Sequence, residues 1–307
     1  MTADDSLAGY DAAVVGAGPA GLAAALTLSR ALRRCIVFDP EEGYRNRDSP
    51  GVGALLGRDG LPPAALRGLG RQEIEAYGFA RFERQRVRGL AGSRAAGFTL
   101  TTADGGGVRA RLVLLACGMV DLFPDLGNLG SFWGGSVINC PFCHGFELRG
   151  RPWGVYVHRP EMLEAAEIYR TWTDDLIFFL EPGQEPDEAR ARALEAQGFR
   201  LERRRVRRLL GGETGLEALA LEDGSRVARE ALVLWPRQRH CALVEALDLP
   251  RDEAGCLVVD AGFRTPRAGL YAAGDLLYQG HQNVSTALHM GNLAAAAMVM
   301  DLAQGGP

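Results

Sequence analysis

The sequence predicts an α/β protein made of two Rossmann-like, three-layer nucleotide-binding domains, the second inserted in the first. Three features carry this expectation: a strand, glycine turn, helix, strand and acid in series near the N-terminus, a hairpin-and-strand pattern that occurs twice, and an apolar closing helix near the C-terminus. At 307 residues the chain is long enough for about two domains, each able to bury its own core.

Asp11 to Val15 reads as a short apolar strand and Leu22 to Leu32 as a helix rich in Ala and Leu, joined by Gly16-Ala17-Gly18-Pro19-Ala20-Gly21. Cys35 to Phe38 is the second strand, and Asp39 follows it, eighteen residues after Gly21. A dinucleotide cradle needs this order: glycines let the pyrophosphate approach the backbone, the helix N-terminus faces its charge, and the acid takes the adenosine ribose. Phe98 to Thr102, a turn at 103–107, and Val108 to Ala116 then form a hairpin leading into an apolar strand. The pattern returns as Leu216 to Leu221, an Asp223-Gly224 turn and Val227 to Trp235. Before it stands a second βαβ series, Trp153 to Val157, Met162 to Trp172 and Asp175 to Leu180. The inserted copy therefore covers 120–247, leaving 1–119 and 248–307 as one discontinuous domain. Gly269-Leu270-Tyr271-Ala272-Ala273-Gly274-Asp275 and a helix from Val284 to Leu302 close it.

A net charge of −4, with 34 basic residues spread among acids, gives no basic stripe, so nucleic acid and anionic membranes are not expected partners. The apolar run Ala294 to Met300 falls far short of the roughly 20 residues a membrane helix needs. Met1 to Tyr10 has neither a basic start nor an apolar signal core, and a cytoplasmic location is expected. Of six cysteines only Cys140 and Cys143 are close in sequence, which favours a working dithiol in a reducing compartment over a disulfide scaffold.

Cys140-Pro141-Phe142-Cys143-His144 is the chemical centre of the chain. A cysteine attacks only as thiolate, and a free pKa of about 8.5 leaves a few per cent ionised at neutral pH, so a helix start or a nearby base is needed. His144 can be that base. Structural zinc is the rival reading, but it requires four ligands and there is no second Cys-x-x-Cys, so no metal is expected. Cys35, Cys117, Cys241 and Cys256 are scattered and read as small buried apolar residues. His240, His281 and His289 are open; His281 precedes the last helix and could relay a proton, with the ordinary reading of a polar loop residue favoured. Trp133 and Trp153 flank the dithiol segment and read as core or domain-interface aromatics.

In the second βαβ series the turn is His158-Arg159-Pro160-Glu161, without glycines. Its side chains would fill the pyrophosphate space, and Pro160 removes one backbone N–H from the anion site. Glu181-Pro182-Gly183 follows the next strand, and a carboxylate there repels a 2′-phosphate although it could serve an NADH ribose. NAD(P)H is therefore not expected; Arg159, a cation able to hold some phosphate, is the counter-argument.

With these residues in place, the chain resembles the low-molecular-weight thioredoxin reductase family of two-domain flavoproteins over nearly its whole length. Gly16 to Gly21, Ala116-Cys117-Gly118, Cys140 to Cys143 and Gly269 through Asp275 occur in that family's order, with Cys117 in place of the usual threonine. Cys-Pro-Phe-Cys-His-Gly-Phe-Glu at Cys140 to Glu147, with Arg45-Asn46 and Leu56 through Gly60, looks like the branch of dithiol oxidases that close disulfides in small metabolites such as gliotoxin and holomycin. The octapeptide identifies a chemistry better than a substrate.

The resemblance implies FAD, held along Gly16, Gly18, Pro19, Ala20, Gly21, Asp39, Asn46, Asp59, Val87, Ala116, Gly118, Gly274, Asp275, Asn283 and Val284. Asp275 would accept from the ribityl chain or a phosphate-bound water. The helix starting near Asn283 and Val284 would turn its positive end toward the flavin N1 and O2 edge, a contribution on the order of 1 kcal/mol; Asn283 also reads as a plain N-cap. Cys143 would pass the electron pair to the flavin and Cys140 would exchange with substrate, while His144 replaces the reductases' aspartate. With no hydride donor, electrons run from a substrate dithiol through Cys140 and Cys143 to FAD and dioxygen. Two alternatives stand: reduction of a thioredoxin-like protein with electrons from NADPH, ferredoxin or a second flavin, and a flavin-binding redox sensor. The expected partners are a small dithiol or a thioredoxin-like protein, and the family implies a homodimer.

Overall fold

The computed structural model describes residues 9–41, 43–278, 280 and 282–304; His281 lies outside the described residues. The chain forms two compact units. One takes the N-terminal part up to Arg45, Ala64–Asp121 and everything from Gln238 on; the other takes Asn46–Pro63 and Leu122–Arg237.

The first unit is built on a seven-stranded sheet in the order Ala80–Glu83, Cys35–Phe38, Tyr10–Val15, Gly107–Leu115, Gly97–Thr102, Val87–Ser93, with Leu270–Ala272 also pairing to Gly107–Leu115. Pairing is parallel around Tyr10–Val15 and antiparallel only in the 87–115 hairpins. Successive strand residues face opposite sides, so Ala12 and Val14 belong to one core while Ala13 and Val15 belong to the other. Helices Pro19–Arg30 and Val284–Gln304 cover the first of these faces. They cross closely: a Cβ on Gly291 would stand 2.0 Å from the Ala20 carbonyl oxygen, so the crossing requires glycine there.

The second unit holds a five-stranded parallel sheet in the order Arg200–Glu202, Leu176–Leu180, Trp153–Val157, Ala231–Leu234, Val137–Ile138. A three-stranded antiparallel meander, Val206–Gly212, Gly215–Leu221 and Arg226–Ala228, packs its Leu209, Leu216 and Leu219 into the core beneath the sheet. Trp153 is fully buried in the opposite core with Val155 and Val157.

Three details differ from the sequence expectation. The segment expected as a helix from Met162 to Trp172 is a 3₁₀ helix, Pro160–Ala165, followed by one α-helical turn, Ala166–Tyr169. Its buried residues Leu163, Ala166 and Tyr169 recur every three positions, which is the 3₁₀ period. The strand expected over Val227 to Trp235 breaks at Arg229, which is buried and donates to the Asp175 carboxylate at 2.6 Å. Finally, the chain rejoins the first unit at Gln238 rather than 248, because Leu243, Val244 and Leu249 pack into that unit's core.

Candidate functional site

In the first unit the glycine turn makes a cradle. Gly16 sits at φ +111°, where a Cβ would stand 2.4 Å from the Ala116 carbonyl oxygen, and a Cβ on Gly21 would stand 1.8 Å from the Gly16 carbonyl oxygen. The turn therefore packs strand, helix and the Ala116 strand end against one another through bare backbone. Gly18, the N-cap of helix Pro19–Arg30, faces open space and provides no side-chain cap, with Pro19 at the first helical position. Leading amides without a side-chain cap, beside open space, suit a pyrophosphate. Gly274, at φ +77°, brings the 3₁₀ turn Gly274–Leu276 to within 3.1 Å of the Ala20 methyl, measured from the Cβ it lacks.

Asp39 is nearly buried at the end of its strand, as the ribose role requires, but both its oxygens already accept from Arg67 Nη2 at 2.6 and 2.7 Å. Arg67 also stacks over the Tyr44 ring and donates to the Ala17 carbonyl. A ribose at this acid would meet an ion pair rather than a lone carboxylate. Asp275 accepts from Arg45 Nη1 at 3.0 Å, and burial pushes its pKa up despite that cation. Arg45 also binds Asp121 and Gln282, and Gln238 joins the same two, fixing a polar network. Asn283 caps the closing helix, its Oδ1 accepting from Thr286 N–H at 2.8 Å, with Val284 the first helical residue. Val87 is buried opposite Thr102, and Gly118 takes φ +62° beyond Ala116. The residues of this unit fit FAD: an open cradle, helix amides without a side-chain cap and an acid at the second strand end. Asn46, at φ +59°, and Asp59, whose Oδ1 accepts from Ala54 N–H, belong to the second unit.

The dithiol lies wholly in that second unit. Cys140 is the N-cap of helix Pro141–Leu148, and its carbonyl accepts from Cys143 and His144 N–H, each at 3.1 Å. Cys140 is buried and Cys143 half-buried, both as thiols. A hydrogen bond with the Cys140 thiol, and then burial, push Cys143 well above the ordinary thiol range. Gly145 leaves room for the Trp172 indole, which a Cβ would meet at 2.8 Å, and Trp172 stacks in turn on Trp153. Phe142 and Phe146 stand exposed on the same helix.

His144 is held through one nitrogen. Its Nε2 lies 2.9 Å from Ser49 Oγ and 3.2 Å from the Gly51 carbonyl oxygen. A carbonyl only accepts, and Ser49 spends its own hydrogen on the same Gly51 oxygen at 2.7 Å. The network thus assigns the ring proton to Nε2, leaving Nδ1 as the lone-pair nitrogen. Nδ1 is buried and has no hydrogen-bond partner among the described residues. An imidazole nitrogen with its lone pair unspent, in the residue that follows Cys143, is chemically able to take up a proton.

Ser49, Gly51 and Gly53 were not singled out in the sequence, where Asp48-Ser49-Pro50-Gly51 resembles an ordinary turn. Their loop is closed by Val52 pairing with Leu61, and a Cβ on Gly53 would stand 1.8 Å from the Cys143 carbonyl oxygen. Only a glycine lets the loop lie this close to the dithiol helix.

The second glycine-poor turn is filled. His158 is 5 % exposed, and burial, then Arg159 and Arg237, lower its pKa to about 4, so it is neutral at physiological pH. Glu181 is paired with Arg237 at 3.1 Å. The turn is followed by a 3₁₀ helix rather than an α-helix start. Two of the remaining cysteines are not scattered: Cys117 and Cys241 meet with sulfurs 3.5 Å apart. Among the described residues no group of three or more His, Cys, Asp or Glu could hold a metal, and no helix is long and apolar enough to cross a membrane.

Two Rossmann-type units, one with an open cradle and one carrying a Cys-x-x-Cys pair, define a FAD-dependent oxidoreductase acting on sulfur groups. Residues 11–47 match the family model described as an FAD binding domain. The chain is 30% identical over 289 residues to thioredoxin reductase sirT of Leptosphaeria maculans, covering 87% of this chain and 86% of that one. Its structure is similar to that of a Bacillus anthracis protein described as a thioredoxin reductase, TrxB, at TM-score 0.90 and 28% identity, over 96% of this chain and 98% of the other. It is likewise similar to HlmI, at TM-score 0.88 and 33% identity, over 96% and 94%. The chain belongs to the thioredoxin reductase family.

Proposed function

We propose that this protein is a dithiol oxidase that closes disulfides in small substrates and does not draw electrons from NAD(P)H. The observation that carries the reading is His144, proton on Nε2 and lone pair on an unpartnered buried Nδ1, adjoining the dithiol. An oxidase must remove two protons from its substrate thiols near neutral pH, and an imidazole is suited to that. The Cys140 to Glu147 octapeptide, which resembles that of metabolite dithiol oxidases, supports the same direction.

In this reading a substrate thiolate attacks the Cys140 sulfur of the Cys140–Cys143 disulfide, and the S–S bond opens to a mixed disulfide, with the Cys143 sulfur leaving. The second substrate thiol loses its proton, with His144 as the base, and attacks the mixed disulfide, releasing the substrate disulfide and a Cys140 thiolate. Ser49 and the Gly51 carbonyl hold the resulting imidazolium through Nε2. FAD, when bound, supplies the acceptor that takes the electron pair from the dithiol and delivers it to dioxygen as hydrogen peroxide. Exposed Phe142 and Phe146 give substrate an apolar surface on the Cys140 helix.

The neutral, buried His158 and the Glu181–Arg237 pair support the reading that no nicotinamide dinucleotide is used. Anaerobic titration of the holoenzyme tests the proposal. A small dithiol should bleach the flavin and NADPH should not, and admitting air should yield one peroxide per disulfide. Rapid bleaching by NADPH rejects it.

The relatives' names favour a second reading, in which the same dithiol reduces a thioredoxin-like disulfide. Turnover of a thioredoxin-like protein with reduced ferredoxin or NADPH, exceeding that with small dithiols, would select it.

A further inference from the structure

Cys117 and Cys241 are separated by 124 positions, yet their sulfurs lie 3.5 Å apart. Both are half-buried at the edge of the first unit's core. Their position in the chain is specific. Cys117 precedes Asp121, the last residue before the chain leaves the first unit, and Cys241 follows Gln238, the first residue after it returns. Between these points the segments Val120–Leu122 and Arg237–Arg239 pair as a two-stranded sheet. A bond between the sulfurs would therefore close Leu122–Arg237, the longer of the second unit's two segments, into one covalent loop.

We propose that Cys117 and Cys241 are a second redox pair, distinct from Cys140 and Cys143, which hydrogen peroxide closes to a disulfide. The sulfurs need to approach by roughly 1.5 Å to reach bonding distance, a movement within the reach of side-chain rotation. The pair is also chemically asymmetric. A hydrogen bond from the Cys117 thiol lowers the Cys241 pKa, opposed by burial and aided by the Val244 and Leu243 amides and by His240. Cys117 is raised by the same hydrogen bond and by burial. One sulfur is thus the nucleophile and the other the resolving thiol.

The Cys241 thiolate attacks one peroxide oxygen, the O–O bond breaks, and hydroxide leaves with a sulfenic acid remaining on Cys241. The Cys117 sulfur then attacks the Cys241 sulfur, the S–S bond forms, and the sulfenic oxygen departs. The two thiol protons end on the two oxygens, so two thiols and one peroxide give one disulfide and two waters. The step does not depend on the proposed oxidase activity, since the peroxide can be added. Cys117 adjoins Ala116, whose carbonyl lies against the Gly16 turn, so the bond would form beside the dinucleotide cradle.

The test uses the FAD holoenzyme of wild type and of the Cys140→Ser/Cys143→Ser double variant, treated with stoichiometric peroxide, alkylated and peptide-mapped without reduction. The expected result in both is a Cys117–Cys241 cross-linked peptide that dithiothreitol removes. In Cys117→Ala, alkylation of Cys241 at neutral pH should slow by at least about tenfold, since loss of the Cys117 hydrogen bond returns its pKa from about 6 toward the free value of about 8.5, where only a few per cent is thiolate. Recovery of both cysteines as alkylated thiols, or their separate oxidation to sulfinic acids without a cross-link, overturns the proposal.

Discussion

Ser49 Oγ lies 2.9 Å from His144 Nε2, and because Ser49 donates its own hydrogen to the Gly51 carbonyl, it can only accept from the ring. Ser49 is therefore a positioning residue: it fixes which imidazole nitrogen carries the proton. A hydrogen bond of this kind is worth about 0.5–1.5 kcal/mol, so Ser49→Ala should slow flavin reduction by a small dithiol roughly two- to tenfold. The ring's nitrogen NMR signals should shift from the Nε2–H form toward a mixture, and Ser49→Thr should restore both readouts. An unchanged spectrum in Ser49→Ala would remove the serine from the mechanism.

His144 itself carries a larger share. General base catalysis contributes typically 10²–10⁴-fold, and His144→Gln should lower the rate of dithiol oxidation into that range at neutral pH. The defect should shrink as pH rises through the substrate's own thiol ionisation, where the base has less to do. Stopped-flow flavin reduction across pH 6 to 10 reads the trend, and a defect of constant size would mean His144 acts by shape alone.

How much of this was legible in the sequence depended on whether the signal was local. The first cradle was, because Gly16, Gly18 and Gly21 follow an apolar strand and precede an Ala-rich helix, each a short-range pattern. The Cys140–Cys143 spacing was likewise local. The serine that holds His144 was not, since it lies 95 positions away in a segment with no periodicity, brought in by the loop closed between Val52 and Leu61. The Cys117–Cys241 contact is hidden for the same reason: two solitary cysteines in apolar surroundings look like core filler until topology joins them. The segment after Trp153–Val157 departs from its expected helix because Met162 to Trp172 suits a helix on composition, while burial of Leu163, Ala166 and Tyr169 follows a three-residue period.

The two thiols of the active helix should separate cleanly in a trapping experiment. A hydrogen bond with the Cys140 thiol, and then burial, hold the proton on Cys143, and Cys140, at the helix N-cap, is the proposed exchanging sulfur. Cys143→Ser, with an activated small disulfide, should accumulate a mixed disulfide on Cys140, visible as a stoichiometric mass increase. Cys140→Ser should give at least about tenfold less adduct in the same time. Equal labelling of the two variants would reverse or abolish the assigned order.

His158 predicts a pH dependence of stability separable from catalysis. Burial, then Arg159 and Arg237, lower its folded pKa from 6.5 to about 4. The unfolded chain therefore binds more protons between these values, so stability rises with pH across the window. The contribution is fully present above about pH 6.5 and is lost as pH falls through about 4, with a ceiling of about 3 kcal/mol. His158→Phe keeps an aromatic ring in the buried turn and removes the titration. Urea unfolding at pH 4.5 and 7 should show wild type losing more stability than this variant on acidification, by about 2 kcal/mol or more. Equal losses would mean that His158 is solvated in the folded protein, and the argument that its ring fills the second nucleotide turn would fall with it.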